Sequence, residues 1–388
     1  MSTHAVFAGA AASVDALPLL SARGAYESPY DHTWRTWASA RGALGAPRWL
    51  LLAGAAVLCA SAAAGAAAFA RSRATPASPA RADECAWGSY RLPTTAVPRS
   101  YEVLWDISDS FAPPFTFSGS SSVDVDITDA AVACVLVHAR RPLQVLAVTA
   151  AADSGAAQPV AFAPDASPGS ERLVLTLPSG ARGAKRLRLA FQFAGNLSEE
   201  VIGFYASKWA VAGVPYASLQ TKFEPSFART AFPCFDEPAL KATFGLTLVG
   251  VPSGALAFSN MPVLSNASGG TVVFHTSPLM SSYQLTTVVG AFVAVAGVLP
   301  PSPGRIAPLP VAAWAPDRGD ATPRSALAFA LATALSSLAY YEETLAVPYT
   351  FPKMDLVYLQ VRGANGLERW GWEAGVALRV RCAERVVD

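Results

Sequence analysis

The chain has 388 residues, room for about two to three domains. A net charge of +1 and a charged fraction of 15% provide no long-range field to draw in nucleic acid, which excludes that class of partner. The apolar fraction of 52% is raised by alanine and by one segment of membrane length.

Residues 1–48 are rich in Ala, Ser and Arg, with only Asp15, Glu27 and Asp31 acidic, as in a cytoplasmic or leader segment. The 22 residues from Trp49 to Ala70 carry no charge and lie between Arg48 and Arg71. A helix rising 1.5 Å per residue over that length crosses a hydrocarbon core of about 30 Å, so 49–70 is predicted to be a transmembrane signal anchor. A late-cleaved signal or a bipartite organellar leader fits the same composition. Arg35, Arg41 and Arg48 on one flank balance Arg71, Arg73 and Arg81 on the other, so charge does not orient the segment. Two acceptor tripeptides, Asn196-Leu-Ser and Asn266-Ala-Ser, favour a luminal or extracellular C-terminal part and hence a single-pass, type II membrane protein.

Residues 71–85 are rich in Pro, Ala and Arg and read as a stalk. From 86 to 297 short apolar runs alternate with polar positions and are broken by Gly, Pro and Ser. In Ser122–Ile127, Val123, Val125 and Ile127 point one way while Asp124 and Asp126 point the other, which predicts a strand with one wet face. The succession of such runs predicts an antiparallel β-domain. A proline-rich joint follows Pro300. Between Pro323 and Leu345, Leu327, Leu331, Leu335, Leu338, Tyr341 and Leu345 recur every three or four residues, which predicts a helix. Met354–Leu359 reads as a strand, and the tail from Trp372 has no clear role. Residues 298–388 are therefore predicted to begin an α/β domain. Cys59, Cys85, Cys134, Cys234 and Cys382 show no CxxC spacing and read as buried or isolated thiols rather than a disulfide framework.

The run from Thr221 to Phe244, TKFEPSFARTAFPCFDEPALKATF, resembles a signature of the zinc aminopeptidases of the aminopeptidase N family. Arg91–Tyr101 resembles that family's opening strand, and Phe117-Ser-Gly-Ser its early turn. Met280–Phe292 resembles the segment that closes the N-terminal domain, and Tyr340-Tyr-Glu-Glu with Pro352-Lys-Met-Asp-Leu-Val the opening of the catalytic domain. The resemblance covers about 90–371. It implies a mainly β fold: an antiparallel β-sandwich or saddle domain, then the start of a thermolysin-like α/β catalytic domain.

It also implies residue roles. An enzyme that removes one N-terminal residue has to hold the substrate's α-ammonium, and an unpaired charge in a partly dry cleft costs several kcal/mol. The resemblance assigns Glu224 of Phe-Glu-Pro as one carboxylate that pairs with it. The second falls on Glu368, where Asn365-Gly366-Leu367-Glu368-Arg369 stands in place of Gly-Ala-Met-Glu-Asn. Arg369 beside Glu368 is expected to compete with the ammonium. Lys222, where the family usually has Gln, adds another positive charge. Arg229, Pro233, Cys234, Asp236, Glu237 and Pro238 are expected to be structural, the two acids accepting turn amides and pairing with Arg229 or Lys241. Hydrolysis in the family uses His-Glu-x-x-His and a further Glu to hold zinc. The histidines here are His4, His32, His138 and His275, with no i, i+4 pair. Zinc is thus expected for the full-length family member and not for this chain alone. The implied function is a membrane-anchored zinc aminopeptidase acting on peptide N-termini, here without its zinc site. The rival is a non-catalytic, membrane-displayed β-domain that binds peptides or partner proteins.

Overall fold

The computed structural model describes residues 87–359 except 153–154, 212–213, 268 and 319–323, together with 19–20, 85, 367–369 and 372–376. The segment predicted to cross a membrane, 49–70, lies outside the described residues. Among those described, no helix is long and apolar enough to cross a membrane.

Alternation builds the largest layer. An eight-stranded sheet runs Val263–Ala267, Thr271–Phe274, Thr243–Val249, Ala96–Asp106, Thr116–Ile127, Arg186–Asn196, Gln144–Ala152 and Gln158–Pro159. Val123 and Val125 are buried on its inner face. Its outer face is laced with charge: Arg99 meets Asp126 at 2.6 Å, and Arg188 lies 3.5 Å from Asp124. These pairs are exposed and contribute little to stability. The sheet departs from the antiparallel expectation at one place, where Thr243–Val249 runs parallel to Ala96–Asp106. A parallel pair requires a long crossover, and the whole run between the two strands supplies it.

Two smaller sheets cover the inner face. One holds Cys134–His138, Arg172–Thr176 and Ala161–Pro164; the other holds Gly203–Val211, Val214–Lys222, Thr287–Gly290 and Leu256–Ser259. A single core joins all three, with Tyr101, Trp105 and Phe191 from the large sheet, Val137 and Leu175 from the first, and Phe204 and Leu219 from the second. Its centre is aromatic. Tyr101 stacks on Phe244 at 4.9 Å, and Trp105 packs against Phe204, Phe223 and Phe232 within 6.2 Å. Phe117-Ser-Gly-Ser, expected as a turn, lies inside the strand Thr116–Ile127. Gly119 is needed there by close approach rather than by turning: a Cβ would sit 2.3 Å from the Leu104 carbonyl oxygen and 2.8 Å from the Phe193 ring.

The chain then changes architecture. A six-stranded sheet runs Leu19–Leu20, Phe292–Leu299, Leu309–Pro316, Met354–Leu359, Trp372–Val376 and Leu367–Arg369. Leu309–Pro316, Met354–Leu359 and Trp372–Val376 are mutually parallel. The helix Arg324–Leu345 connects the first two, forming a βαβ unit. Alternation sorts the side chains between two partners. Val293, Val295, Val311 and Ala313 pack on Leu327, Leu331 and Ala334 of the helix. Phe292, Ala294, Ala312 and Trp314 face the other way, onto Phe258 and Val288 of the four-stranded sheet. A strand covered on both sides reads as a continuous apolar run, as Leu309–Pro316 does.

Three further expectations are corrected. Cys85 and Cys134 are joined as a disulfide, their Cα atoms 5.6 Å apart, whereas both were read as isolated thiols; Cys234 is free and buried. Spacing along the chain cannot show that the stalk end folds back on the strand from Cys134. The tail from Trp372 has a role after all, because Trp372–Val376 is a strand parallel to Met354–Leu359. The join expected at 297/298 falls inside the strand Phe292–Leu299, whose partner is Leu309–Pro316.

Candidate substrate-amine site

The signature run leaves the strand Val214–Lys222 and crosses the end of the aromatic core. Phe223 and Phe232 are fully buried, while Glu224 between them in sequence is exposed in the turn. The buried phenylalanines pin the chain on either side, so the acid is presented outward by packing. Lys222, at the strand's last position, is half-buried.

Beyond Glu224 the run closes into a polar knot around Asp236. The Asp236 carboxylate is 3% exposed and accepts from Arg229 Nε at 2.9 Å and from Ser282 Oγ at 2.6 Å. Arg229 Nη2 donates to the Asp236 carbonyl oxygen at 3.0 Å, and Nη1 reaches Glu171 at the same distance. His138 completes the knot. Its Nδ1 accepts from the Asp236 amide at 3.2 Å, and its backbone exchanges hydrogen bonds with Cys234 at 2.8 and 3.1 Å. Burial, reinforced by the charges of Arg229 and Arg172, lowers its pKa to about 3, which keeps the ring neutral and able to accept. Glu237 turns the other way and accepts from the Leu92 amide at 2.5 Å. The Pro238 carbonyl accepts from Ser281 Oγ at 2.7 Å. Pro233 and Cys234 are buried, and burial holds the Cys234 thiol well above its ordinary range. The Tyr101 hydroxyl accepts from the Phe235 amide at 3.0 Å, and Trp105 Nε1 donates to the Ala231 carbonyl at 3.1 Å. Apart from the two Arg229–Asp236 bonds, these bonds tie the run to segments elsewhere in the chain.

The second candidate residue lies across the junction between the four-stranded and six-stranded sheets. Leu367–Arg369 pairs antiparallel with Trp372–Val376, placing Glu368 opposite Glu373 at the edge of the six-stranded sheet. Glu368 and Arg369 occupy successive positions of that strand. Asn365 and Gly366 lie outside the described residues.

The junction itself carries a polar pin that sequence reasoning did not single out. Lys353 Nζ, buried, donates to the Ser259 carbonyl at 2.8 Å and contacts the Asp355 carboxylate. Trp314 Nε1 donates to the other Asp355 oxygen at 2.8 Å, and its ring lies 4.6 Å from that of Phe258. Lys353 and Asp355 stood within Pro352-Lys-Met-Asp-Leu-Val, but a lysine and an aspartate two apart in a strand give no sign of burial.

Among the described residues, no three His, Cys, Asp or Glu side chains come together to hold a metal. His138 spends Nδ1 on a backbone amide. The donor set among the described residues does not fit zinc.

A three-sheet β-domain with an outward Phe-Glu-Pro turn is thus pinned to a βαβ unit. This chain matches the Peptidase M1 N-terminal domain family over residues 97–284. It is similar to Aminopeptidase M1-D of Oryza sativa subsp. japonica, 34% identical over 289 residues that cover 73% of this chain and 30% of the relative. Aminopeptidase N of Canis lupus familiaris is 28% identical over 298 residues, 74% of this chain and 30% of its own length. Aminopeptidase M1 of Arabidopsis thaliana is 33% identical over 290 residues, 73% and 31% respectively. The chain thus spans about a third of the length of the curated relatives it matches.

Proposed function

We propose that this chain forms the part of a zinc aminopeptidase that receives a peptide's N-terminus, with Glu224 and Glu368 as the carboxylates for its α-ammonium. The observation that carries the reading is the family match over residues 97–284, joined to relatives named aminopeptidases along 73–74% of the chain. The packing of the sheets supports it. Glu224 follows a strand of the four-stranded sheet, Glu368 lies in the six-stranded sheet, and those two sheets pack through Phe258 and Val288. An ammonium received at that junction meets one carboxylate from each side, and charge-assisted hydrogen bonds of this kind are the strong ones. Zinc-bound water would supply the hydrolytic step. The residues described here bind and orient the substrate's N-terminus. Asp236, Arg229, Glu237 and their neighbours shape the loop that carries Glu224 and do not touch the reacting bond.

Calorimetric titration of the full chain with a short peptide, free or acetylated at its α-amine, tests this. The free amine is expected to bind at least about tenfold more tightly, a difference of roughly 1.4 kcal/mol. Glu224→Gln and Glu368→Gln should each erase the preference. Equal affinity for the two peptides in the unaltered chain overturns the reading.

A further inference from the structure

We propose that Asn196 is an N-glycosylation site, with Asn266 as a second, and that this β-domain folds in an oxidising secretory compartment. Three independent observations converge.

The first is placement. Asn196 ends the strand Arg186–Asn196 and is exposed, and Ser198, the hydroxyl residue of its tripeptide, is half-buried and bridges in parallel to Tyr205. The flanking backbone is fixed: the Leu197 amide donates to the Phe115 carbonyl at 2.8 Å and the Ser198 amide to the Phe204 carbonyl at 2.7 Å. The backbone that carries Asn196 is therefore fixed at the end of its strand. Asn266 lies in Val263–Ala267, where all five residues are exposed. That strand is the outermost of the eight-stranded sheet. An exposed edge strand invites pairing with other chains, and a bulky saccharide on it blocks that approach.

The second is the surface beside Asn196. It opens on a groove of about 310 Å³ lined by Asp106, Asp109, Ser118 and Gln144. The first sugar meets carboxylate, hydroxyl and amide groups that can hydrogen-bond it, beside the apolar Phe117 and Ala194.

The third is redox chemistry. The Cys85–Cys134 disulfide ties the segment before the domain to its three-stranded sheet. Disulfides persist where thiols are oxidised and are rare in the cytosol. The same compartments carry out asparagine glycosylation, which marks surface loops of secreted proteins. In the transfer, the Asn196 amide nitrogen forms a bond to the anomeric carbon of a lipid-diphosphate-linked oligosaccharide. The bond from that carbon to the diphosphate oxygen breaks, the diphosphate departs on its lipid, and the amide proton goes to solvent.

The test is translation of the full chain with and without endoplasmic-reticulum microsomes, followed by peptide-N-glycosidase digestion. With microsomes the product should resist added protease and migrate two glycan steps more slowly, and digestion should remove both steps. Asn196→Gln and Asn266→Gln should each remove one step. Ser198→Ala should match Asn196→Gln, while Ser198→Thr, which keeps the tripeptide, restores the step. Without reductant, Cys85 and Cys134 should resist alkylation. A protected but unmodified product, a product open to protease, or an Asn196→Gln chain with the full number of glycans overturns the proposal. None of these outcomes bears on the peptidase reading, which concerns the peptide-binding junction.

Discussion

At the scale of single residues, the signature run separates into one presented acid and a set of buried ones. Asp236 holds Arg229, Ser282 and, through its amide, His138, whereas Glu224 stands exposed. Removing one partner of a buried pair strands the other charge, at a cost of about 3–5 kcal/mol. Asp236→Asn is therefore expected to lower the urea midpoint by that equivalent. Glu224→Gln, on the surface, should leave the midpoint within about 0.5 kcal/mol of the parent. His138 adds a pH dependence whose sign follows from its lowered pKa. The unfolded ring takes a proton near pH 6.5 and the folded ring only near about 3. Acid therefore favours the unfolded chain throughout that window. His138 should erode stability by about 1.4 kcal/mol for each pH unit between 6.5 and 3. Urea midpoints of the parent and of His138→Gln, taken from pH 7 to pH 4, check this. The parent should fall more steeply with acid, and parallel curves would exclude His138 as the cause.

At the scale of elements, the proline-rich joint shows how an irregular segment is fixed without a ladder. Prolines supply no amide donors, so the joint is pinned by a side chain instead. Arg305, buried, donates to the carbonyls of Pro300 and Ala307 and grips Glu342 of the helix through Nε at 2.8 Å and Nη2 at 3.0 Å. Glu342 also accepts from Ser302 Oγ and from the Tyr349 amide, both at 2.8 Å. The Arg305 hydrogen bond is the main reason the Glu342 carboxyl falls to about 2. A lowered carboxyl stabilises the fold above its ordinary value of 4.5 and loses that contribution as pH drops from 4.5 toward 2. Glu342→Gln should accordingly destabilise the chain by about 3–5 kcal/mol near neutrality. The difference from the parent should shrink by pH 3 when thermal midpoints are compared. A difference that is constant across pH argues that packing, not charge, makes the helix contact.

At the scale of the molecule, the division of the core decides where the chain can be cut. One cluster runs from Leu92 to Val289, and the strand Phe292–Leu299 belongs to the next sheet. A fragment of residues 86–290 should unfold cooperatively and stay monomeric. A fragment of residues 86–297 carries most of a strand whose partner, Leu309–Pro316, is missing; an unpaired apolar strand of that kind promotes association. Urea unfolding and gel filtration of the two fragments distinguish them. A non-cooperative shorter fragment, or two fragments alike in size and stability, contradicts the division.

Much of this protein was determined by local sequence. Alternation at Val123, Val125, Asp124 and Asp126 defined a strand with one wet face because side chains in a strand alternate every residue. The leucine spacing defined the helix Arg324–Leu345, and the run from Thr221 to Phe244 pointed to the family. Tertiary structure alone decided what depends on residues far apart. Cys85 meets Cys134 across 49 positions, Trp105 meets Ala231 across 126, and Lys353 reaches Ser259 across 94. The tail from Trp372 shows no strand signal by itself and becomes one by adding to an existing edge. Asp236 and Glu224 are both acids in one signature, and nothing local tells which is buried. That distinction arises because burying a carboxylate requires Arg229, Ser282 and His138 to converge on it, and only the packing of the sheets brings them there.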